Sequence, residues 1–306
     1  MISIVIPSLN TAEHLGRMLS SLASSGSKEP TEIIVVDMSS TDGTIEMLKS
    51  DFPEVTVLAD VLNKGYGAAA NTGLARATGS HVLVCNSDLA FPDGSMDQLA
   101  KLLREVDEKT LVGFRLEGLD GRPQRSVHRL PGRFALTWMF AAPLRYWPRL
   151  NSRLMGYMNE EAMTQRTPVG WVTGAALGAH RTLFDRLGGF DEAFFMNSEE
   201  VDLCARVQDL GGTVLYAPEI TLVHMGGGSS PDSTLPLTWL AEGKARYTRK
   251  HFSRTTLWAA RLGAVVAYLG SFPVWMGRWA VRRTTFGQAA GEVVRYGRAL
   301  EGAWRV

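Results

Sequence analysis

The chain has 306 residues, with 32 basic against 31 acidic side chains and a formal net charge of +1. This length suffices for one large α/β domain with an appendage or for two modest domains. The balanced charge argues against a nucleic-acid-binding protein, which normally carries a net basic face. We therefore expect no nucleic acid among the partners.

The cysteines and the start of the chain indicate a cytoplasmic protein. Cys85 and Cys204 stand far apart in apolar surroundings, which is typical of buried, reduced thiols rather than of a disulfide or a metal-binding pair. Met1 leads straight into the apolar residues 2–6, without the charged segment and cleavage site of an export signal. We expect the protein to remain on the cytoplasmic side.

The first hundred residues alternate between apolar runs and amphipathic stretches. This alternation predicts parallel strands linked by helices, a doubly wound, Rossmann-like α/β arrangement. The predicted strands are residues 2–6, 32–36, 55–58 and 81–85, and the predicted helices are residues 12–24, 43–50 and 66–77. Ligands of such sheets bind at the carboxyl ends of the strands. Those ends carry polar residues here: Pro7, Ser8, Asn10, Asp37, Asn63, Lys64, Gly65, Asn86, Ser87 and Asp88.

The pattern changes from about residue 111. A turn sequence from Gly118 to Gly121 predicts a β-hairpin rather than another crossover unit. Residues 134–147 are rich in aromatic side chains, and three interpretations stay open for them: core, a mobile lid or a surface that meets lipid.

The last seventy residues predict a helical extension. Residues 262–277 carry no charge, but Pro273 interrupts them and they fall short of the ~20 residues of a spanning helix. Aromatic residues are spread along this run and arginines flank it. The aromatics are Trp258, Tyr268, Trp275 and Trp279, and the arginines are Arg254, Arg261, Arg278, Arg282 and Arg283. That pattern suits a helix at an anionic membrane surface; packing on the chain's own domain or a homo-oligomer contact is the alternative. We predict two domains, residues 1–232 and the extension 233–306.

Asp37 ends the second predicted strand and is followed by Ser39, Thr41 and Asp42. A carboxylate at a strand end can accept hydrogen bonds from a base or a ribose hydroxyl, and the residues behind it can cap the next helix. Capping accounts for Thr41 or Asp42, but it does not account for Asp37.

A glycine-rich motif stands at the start of the third predicted helix, where Gly65, Gly67 and Ala70 match G-x-G-x-x-A. It raises a dinucleotide-dependent oxidoreductase as a rival interpretation. That fingerprint usually follows the first strand, whereas this string follows the third, so the placement argues against it.

Asp88, after the fourth predicted strand, is a candidate ligand for a divalent cation, because such cations prefer oxygen ligands. His224 ends a later extended run and is a second candidate. A lone histidine is more often simply hydrogen-bonded, so this pair alone is a weak metal signal.

Residues 188–206 concentrate carboxylates among glycines and aromatics: Asp191, Glu192, Glu199, Glu200 and Asp202. Asn197 and Ser198 can cap a helix whose first turn carries the last three of these acids. Acids are favoured at any helix start by the helix dipole, so the cluster is open to a structural and a catalytic interpretation.

Together these residues resemble the family 2 glycosyltransferases, which are inverting enzymes of the GT-A fold. Five motifs, in family order between residues 2 and 224, carry the resemblance. They are the first strand from Ile4 to Asn10, a D-x-S-x-D-G-T-like segment from Asp37 to Thr44, an N-x-G-x-x-x-A-x-N-x-G-like segment from Asn63 to Gly73, Asn86-Ser87-Asp88 in place of a D-x-D-like motif, and Gly174-Ala175 followed by residues 188–206.

Arg122 to Ser126 and Trp171 to Ala175 are similar to rhamnosyltransferase-like members that build bacterial cell-surface polysaccharides. The chain also departs from the family pattern. Met38 and Ser39 replace the usual Asn and Gly, and Ser87 replaces a common Pro. Glu200 stands where the family has Asp, and its extra methylene moves the carboxylate outward.

The resemblance implies a mostly parallel central sheet with flanking helices, and a nucleotide-diphosphate sugar, dTDP- or UDP-linked, as donor. The implied donor-binding residues are those at the strand ends together with Ser39 and Asn71. Asp88 and His224 would hold Mg²⁺ or Mn²⁺. Glu200 would be the general base, with Glu199 and Asp191 as alternatives.

The resemblance also implies an acceptor, a glycan or a polyprenyl-diphosphate-linked one, at Trp171, Gly174 and Ala175. We expect the enzyme to be peripheral on the inner face of the cell membrane. Two other classes stay open. One is a catalytically silent nucleotide-binding subunit, because Glu200 replaces the Asp of the family, and the other is a sugar-phosphate nucleotidyltransferase. The latter should show a glycine-rich loop with a basic residue after its first strand, and Pro7 to Asn10 contain neither.

Overall fold

The computed structural model describes residues 1–26, 28–59, 61–132, 156, 158, 163–226, 235–280, 294, 297, 298 and 300–305. The chain forms two compact units. The first comprises Met1–Arg129, Met158–Phe195 and Glu199–Ser229, and the second comprises Leu130–Tyr157, Met196–Ser198 and Ser230–Val306. The aromatic segment 134–147 lies outside the described residues.

The first unit is an α/β layer structure built on a nine-stranded sheet. Its strands are β1 (Ile2–Ser8), β2 (Thr31–Asp37), β3 (Thr56–Leu58), β4 (His81–Cys85), β5 (Leu89–Ala90), β6 (Thr110–Glu117), β8 (Thr167–Pro168), β10 (Ala176–His180) and β11 (Thr213–His224). A separate two-stranded sheet pairs β7 (Val127–His128) with β9 (Trp171–Val172). The helices are α1 (Ala12–Ser24), α2 (Thr44–Asp51), α3 (Tyr66–Arg76), α4 (Ser95–Glu105), α5 (Arg181–Leu187) and α6 (Glu199–Asp209).

The strand order is β3-β2-β1-β4-β10-β6-β11-β5. The first four strands of this order run parallel, as predicted, and the predicted elements of the first hundred residues are confirmed with shifts of one or two residues at their ends. Every residue of β1 is buried, because a central parallel strand is covered by helices on both faces. Its carboxyl end reaches Ser8, which is in register with Asp37.

Helix α1 shows why the core forms where it does. Its apolar residues Leu15, Met18, Leu19 and Leu22 follow the three- and four-residue spacing of one helix face, and all four are buried. They belong to the same core cluster as Ile2, Ile4 and Ile6 of β1. Cys85 and Cys204 are buried free thiols, as predicted.

The predicted hairpin follows β6. The Gly118 amide donates to the Arg122 carbonyl at 2.9 Å, and the Gln124 amide donates to the Leu116 carbonyl at 2.8 Å. On the other side of β6, β11 runs parallel to it, with Leu222 opposite Leu116. The hairpin therefore brings Gln124 beside the end of β11.

The described residues of the second unit include the helices α7 (Leu235–His251) and α8 (Arg254–Ala280), and residues 300–304 are also helical. Small and apolar side chains form its core: Ala241, Ala245, Leu257, Ala260, Ala264 and Ala303. Trp258, Leu262, Val266 and Leu269 are 57–64% exposed and recur every three or four residues on one face of α8. Among the described residues, no helix is both long and apolar enough to cross a bilayer.

Candidate active site

The loops after β1 and β2 are tied together at the strand ends. The Asn10 amide donates to Ser40 Oγ at 2.8 Å, and the Thr41 amide donates to Asn10 Oδ1 at 2.7 Å. Asp37 is fully buried, and its Oδ2 accepts from the Ser40 amide at 2.9 Å. Its Oδ1 has no hydrogen-bond partner among the described residues. A buried, unsatisfied acceptor is costly, so Asp37 is suited to a donor group on a bound ligand.

The loop before α3 contacts the carboxylate-rich segment. Gly65 has φ +103°, and a Cβ there would overlap the carbonyl oxygen of Phe195. That carbonyl accepts from the Tyr66 amide at 3.0 Å, in the first turn of α3. Asn63 Oδ1 accepts from the Gly65 amide at 3.1 Å, and Lys64 is exposed. Only glycine permits this close approach.

Asn71 makes three hydrogen bonds to the carboxylate-rich segment. Its Oδ1 accepts from the Phe190 amide at 2.8 Å, and its Nδ2 donates to the Phe190 carbonyl at 2.9 Å and to Glu192 at 3.1 Å. The side chain thus holds the loop that leads to the carboxylates. Its predicted role in donor binding stays a prediction.

Asp88 and His224 face each other at the ends of neighbouring strands. His224 Nε2 lies 3.2 Å from Asp88 Oδ1, yet that oxygen has no hydrogen bond of normal geometry among the described residues. Burial acts to raise the pKa of Asp88, but contact with His224 and its charge leave the pKa below its ordinary value. The Met225 amide donates to the Asp88 carbonyl at 2.9 Å and fixes the two loops together.

This pair fits the binding of one divalent cation. A buried carboxylate oxygen and an imidazole nitrogen lie 3.2 Å apart, and hard cations commonly complete their shell with water and phosphate oxygens. In the part of the chain that the structure describes, no group of three or more His, Cys, Asp or Glu side chains could hold a metal ion.

Glu199 and Glu200 open helix α6. Glu199 is 7% exposed, and Glu200 is half-buried. Burial, and then the charge of Glu200, raises the pKa of Glu199 well above its ordinary value. Glu200 approaches the acceptor candidate Gly174, where an added Cβ would lie 3.3 Å from Glu200 Cβ. The two carboxyl groups therefore do not ionise independently, and burial favours the neutral form of Glu199.

Tyr66 lies near Glu199, Glu200 and Asp88, and it was not among the site residues predicted from the sequence. Its hydroxyl donates to the Gly174 carbonyl at 3.1 Å. Burial, followed by the charges of Cys85, Glu199, Glu200 and Asp88, raises the pKa of this phenol. Tyr66 is therefore close enough to both carboxylates and to Asp88 for their charges to act on it. The only sequence signal was its position directly after Gly65.

Trp171, a predicted acceptor-binding residue, stacks on a histidine. The rings of Trp171 and His128 are parallel within 11° and 3.9 Å apart. Burial lowers the pKa of His128 to about 4, so its imidazole is neutral at neutral pH. The neighbouring Ala175 carbonyl accepts from the Asn86 amide at 2.9 Å. The acceptor role of Trp171, Gly174 and Ala175 stays a prediction.

The remaining acids of the segment have structural contacts. Asp202 is fully buried and accepts from Arg206 Nε at 2.7 Å, while Arg206 also donates to the carbonyls of Leu187 and Gly189. Asp191 Oδ1 accepts from the Ala193 amide at 3.0 Å and so supports a turn.

Comparison with known sequences identifies relatives over most of the chain. The model of Glycosyl transferase family 2 matches residues 3–185. The N-acetylglucosaminyl-diphospho-decaprenol L-rhamnosyltransferase of Mycobacterium tuberculosis is 30% identical over 235 residues, which cover 73% of this chain and 76% of that protein. The pre-mycofactocin glycosyltransferase of the same species is 28% identical over 228 residues, covering 73% and 42%.

Solved structures share the fold at low identity. The mannosyltransferase PcManGT from Pyrobaculum calidifontis, in complex with GDP-Man and Mn²⁺, aligns with a TM-score of 0.57 at 15% identity, covering 99% of this chain and 85% of that one. GalNAc-T7, with UDP, GalNAc and Mn²⁺, aligns with a TM-score of 0.56 at 16% identity, covering 79% and 47%. The GT-A-like α/β fold predicted from the sequence is therefore confirmed. By its sequence matches, this chain belongs to glycosyltransferase family 2 and is a glycosyltransferase.

Proposed function

We propose that the enzyme transfers a rhamnose-like hexose from a dTDP- or UDP-sugar to a glycan or polyprenyl-diphosphate-linked acceptor, with inversion, in the synthesis of cell-surface polysaccharide. The rhamnosyltransferase at 30% identity supports the sugar and the lipid-linked acceptor. The observation that carries the proposal is that Glu199, Glu200 and Asp88 all lie near Tyr66, with Asp88 in contact with His224.

Donor binding begins at the strand ends. The free Oδ1 of Asp37 would accept a hydrogen bond from the base or the ribose. Asp88 and His224 would hold Mg²⁺ or Mn²⁺. When bound, that cation would neutralise the charge that builds on the departing nucleoside diphosphate.

The chemical step is a single displacement. Glu200 takes the proton of the acceptor hydroxyl as its oxygen forms a bond to the anomeric carbon, and the bond from that carbon to the diphosphate oxygen breaks. Attack from the opposite face inverts the anomeric centre. Burial favours the protonated form of Glu199, and we assign the less buried Glu200 as the base.

A donor screen tests this assignment. Unfolding of the purified chain would be followed with UDP-, dTDP- and GDP-sugars, with and without Mn²⁺, because a ligand that binds only the folded state raises stability by mass action. We expect stabilisation by one class of donor that increases with Mn²⁺ and is lost in Asp37→Ala. Asp120→Ala, an exposed carboxylate of the hairpin turn, is the matched control. No response to any donor would reject the proposal.

We further infer that the C-terminal helices hold the enzyme on the anionic inner face of the membrane. Residues 254–280 contain three arginines and no acid, and one face of α8 exposes large apolar side chains. Arg261 lies over the rings of Trp258 and Trp304, at 5.4 and 5.0 Å from their centres. Apolar and cationic groups together favour the surface of an anionic leaflet.

Vesicle flotation tests the membrane assignment. We expect binding to vesicles with anionic phospholipid, weaker binding to purely zwitterionic ones, and loss of binding in Leu262→Ser/Val266→Ser. Leu119→Ser, which removes an exposed leucine from the hairpin turn of the first unit, is the control. Equal binding by the double variant would reject the membrane role. A change of mass in light scattering, without flotation, would identify a homo-oligomer contact instead.

A further inference from the structure

Gln124 contacts His224 through both atoms of its side-chain amide. Gln124 Nε2 donates to the main-chain carbonyl of His224 at 2.9 Å, and Gln124 Oε1 lies 2.7 Å from His224 Nδ1. A carbonyl only accepts hydrogen bonds, so the amide nitrogen must face it. The amide oxygen therefore faces Nδ1, and Nδ1 must be the protonated nitrogen.

This assignment fixes the other nitrogen of the ring. In a neutral imidazole with a proton on Nδ1, Nε2 carries a lone pair. In this neutral form the lone pair faces Asp88 Oδ1, 3.2 Å away, and a positive charge next to both atoms stabilises them. When the ring is a cation, Nε2–H donates to that oxygen, and a bound divalent cation takes the place of this proton.

The fold holds Gln124 in place independently of this contact. The Gln124 amide donates to the Leu116 carbonyl of β6 at 2.8 Å, and Leu116 is in register with Leu222, two residues before His224. Glu117 and Pro123 form an antiparallel bridge across the same turn. The side-chain amide is therefore presented from a fixed backbone.

We propose that Gln124 is a positioning residue, which holds the imidazole of His224 in its Nδ1-protonated form and directs Nε2 as a ligand toward a divalent cation shared with Asp88. The inference rests on the metal dependence proposed above. Partners of this kind fix the ring orientation of metal-binding histidines, and their loss typically lowers metal affinity by about 10–100-fold.

Two variants separate this role from a purely structural one. Gln124→Glu keeps an acceptor for Nδ1–H but loses the donor to the His224 carbonyl. Gln124→Met keeps the length of the side chain and loses both strong bonds. If the side-chain amide of Gln124 only stabilised the hairpin, both variants would lose stability to the same extent and would bind metal with equal affinity. If it fixes the tautomer, Gln124→Glu retains metal binding and Gln124→Met does not.

The first measurement is Mn²⁺ binding to the full chain with a nucleoside diphosphate, followed by the electron paramagnetic resonance of free Mn²⁺. We expect the Kd to rise about 10–100-fold in Gln124→Met and to change by no more than a few-fold in Gln124→Glu. Unchanged affinity in Gln124→Met, with binding abolished by His224→Ala, overturns this inference alone. Absence of Mn²⁺ binding by the wild-type chain overturns the metal dependence as well.

The second measurement needs no metal. Long-range ¹H–¹⁵N spectra of the metal-free chain report which ring nitrogen of His224 carries the proton. We expect Nδ1 in the wild type and in Gln124→Glu, and a shift toward protonated Nε2 in Gln124→Met. A wild-type ring protonated on Nε2 alone overturns the proposal, whatever the Mn²⁺ result.

Discussion

Glu199 and Glu200 are adjacent carboxyl groups that cannot both ionise at low cost, because Glu199 is buried beside the charge of Glu200. Their unequal environments separate two roles. Burial raises the pKa of Glu199 and so favours its protonated form, whereas Glu200 is only half-buried. This difference supports the proposal of Glu200 as the base, which its position in the family motif also favours.

Glu200→Gln is expected to lower kcat by about 10²–10⁴-fold, because proton transfer by a positioned carboxylate typically contributes that factor. Donor affinity, measured by thermal shift, should change little. Asp209→Asn removes an exposed carboxylate from the other end of the same helix and serves as the control. Full activity in Glu200→Gln would transfer the assignment to Glu199 or Asp191.

Glu199→Gln is expected to change how stability depends on pH. A carboxyl whose pKa is raised by folding contributes stability that is complete below its unfolded pKa and is lost as pH rises through its folded pKa. The variant lacks this loss, so its stability relative to wild type should increase with pH by about 1.4 kcal/mol for each unit by which the wild-type pKa is raised.

Urea unfolding of both proteins between pH 4 and pH 8 measures that difference. The informative quantity is its change with pH, since Gln and a protonated Glu have nearly the same shape. A difference that stays constant over this range would show that Glu199 ionises normally in the folded protein.

Gly65→Ala is expected to reduce both stability and activity. Gly65 and Gly94 both precede helices with positive φ, +103° and +74°, but only Gly65 has a carbonyl oxygen where its Cβ would stand. Gly94→Ala should therefore cost only the roughly 1–2 kcal/mol of a left-handed backbone. Gly65→Ala should cost more, because Phe195 must also move.

Urea unfolding compares the two variants, and kcat reports the displacement of Phe195, which lies four residues before Glu199. Gly94→Ala should retain the wild-type kcat. Equal losses of stability in the two variants would mean that the contact between Gly65 and Phe195 is absent or yields without cost.

The sequence predicts the parallel strands because local patterns encode them: the mostly apolar β1 and one-sided helices such as α1 have few other stable arrangements. It also selects Asp37, Asp88 and Glu200 as candidates through their ordered motifs, and His224 through its place at the end of an extended run. It does not predict Tyr66 or Gln124. Their contacts join positions about 100 residues apart in sequence, and no local pattern encodes which strands become neighbours.

The unequal carboxyls could not be predicted for the same reason. Both are Glu in the first turn of one helix, and the sequence provides no measure of their burial. The pKa shift of Glu199 comes from the packing around it, where Gly67 would place a Cβ 3.8 Å from Glu199 Cβ. Chemistry that depends on long-range packing becomes visible only in the fold.

Gly243→Ala is expected to lower kcat more than it lowers donor affinity. Within the second unit, a Cβ on Gly243 of α7 would overlap the carbonyl oxygen of Asn197. Asn197 and Ser198 both have left-handed backbones, with φ +68° and +75°, and run directly into Glu199 and Glu200. A displaced Asn197 would therefore shift the start of α6 and misplace the base, to which catalysis is sensitive within about 1 Å.

Steady-state kinetics and donor thermal shifts measure the two effects separately. Gly302→Ala is the matched control, since its Cβ would overlap the Thr238 carbonyl in the same unit but would leave Asn197 untouched. If both variants lose activity and stability to the same extent, Gly243 acts only through the packing of its unit. A selective loss of kcat in Gly243→Ala would mean that the backbone of Asn197, two residues before Glu199, sets the position of the proposed base.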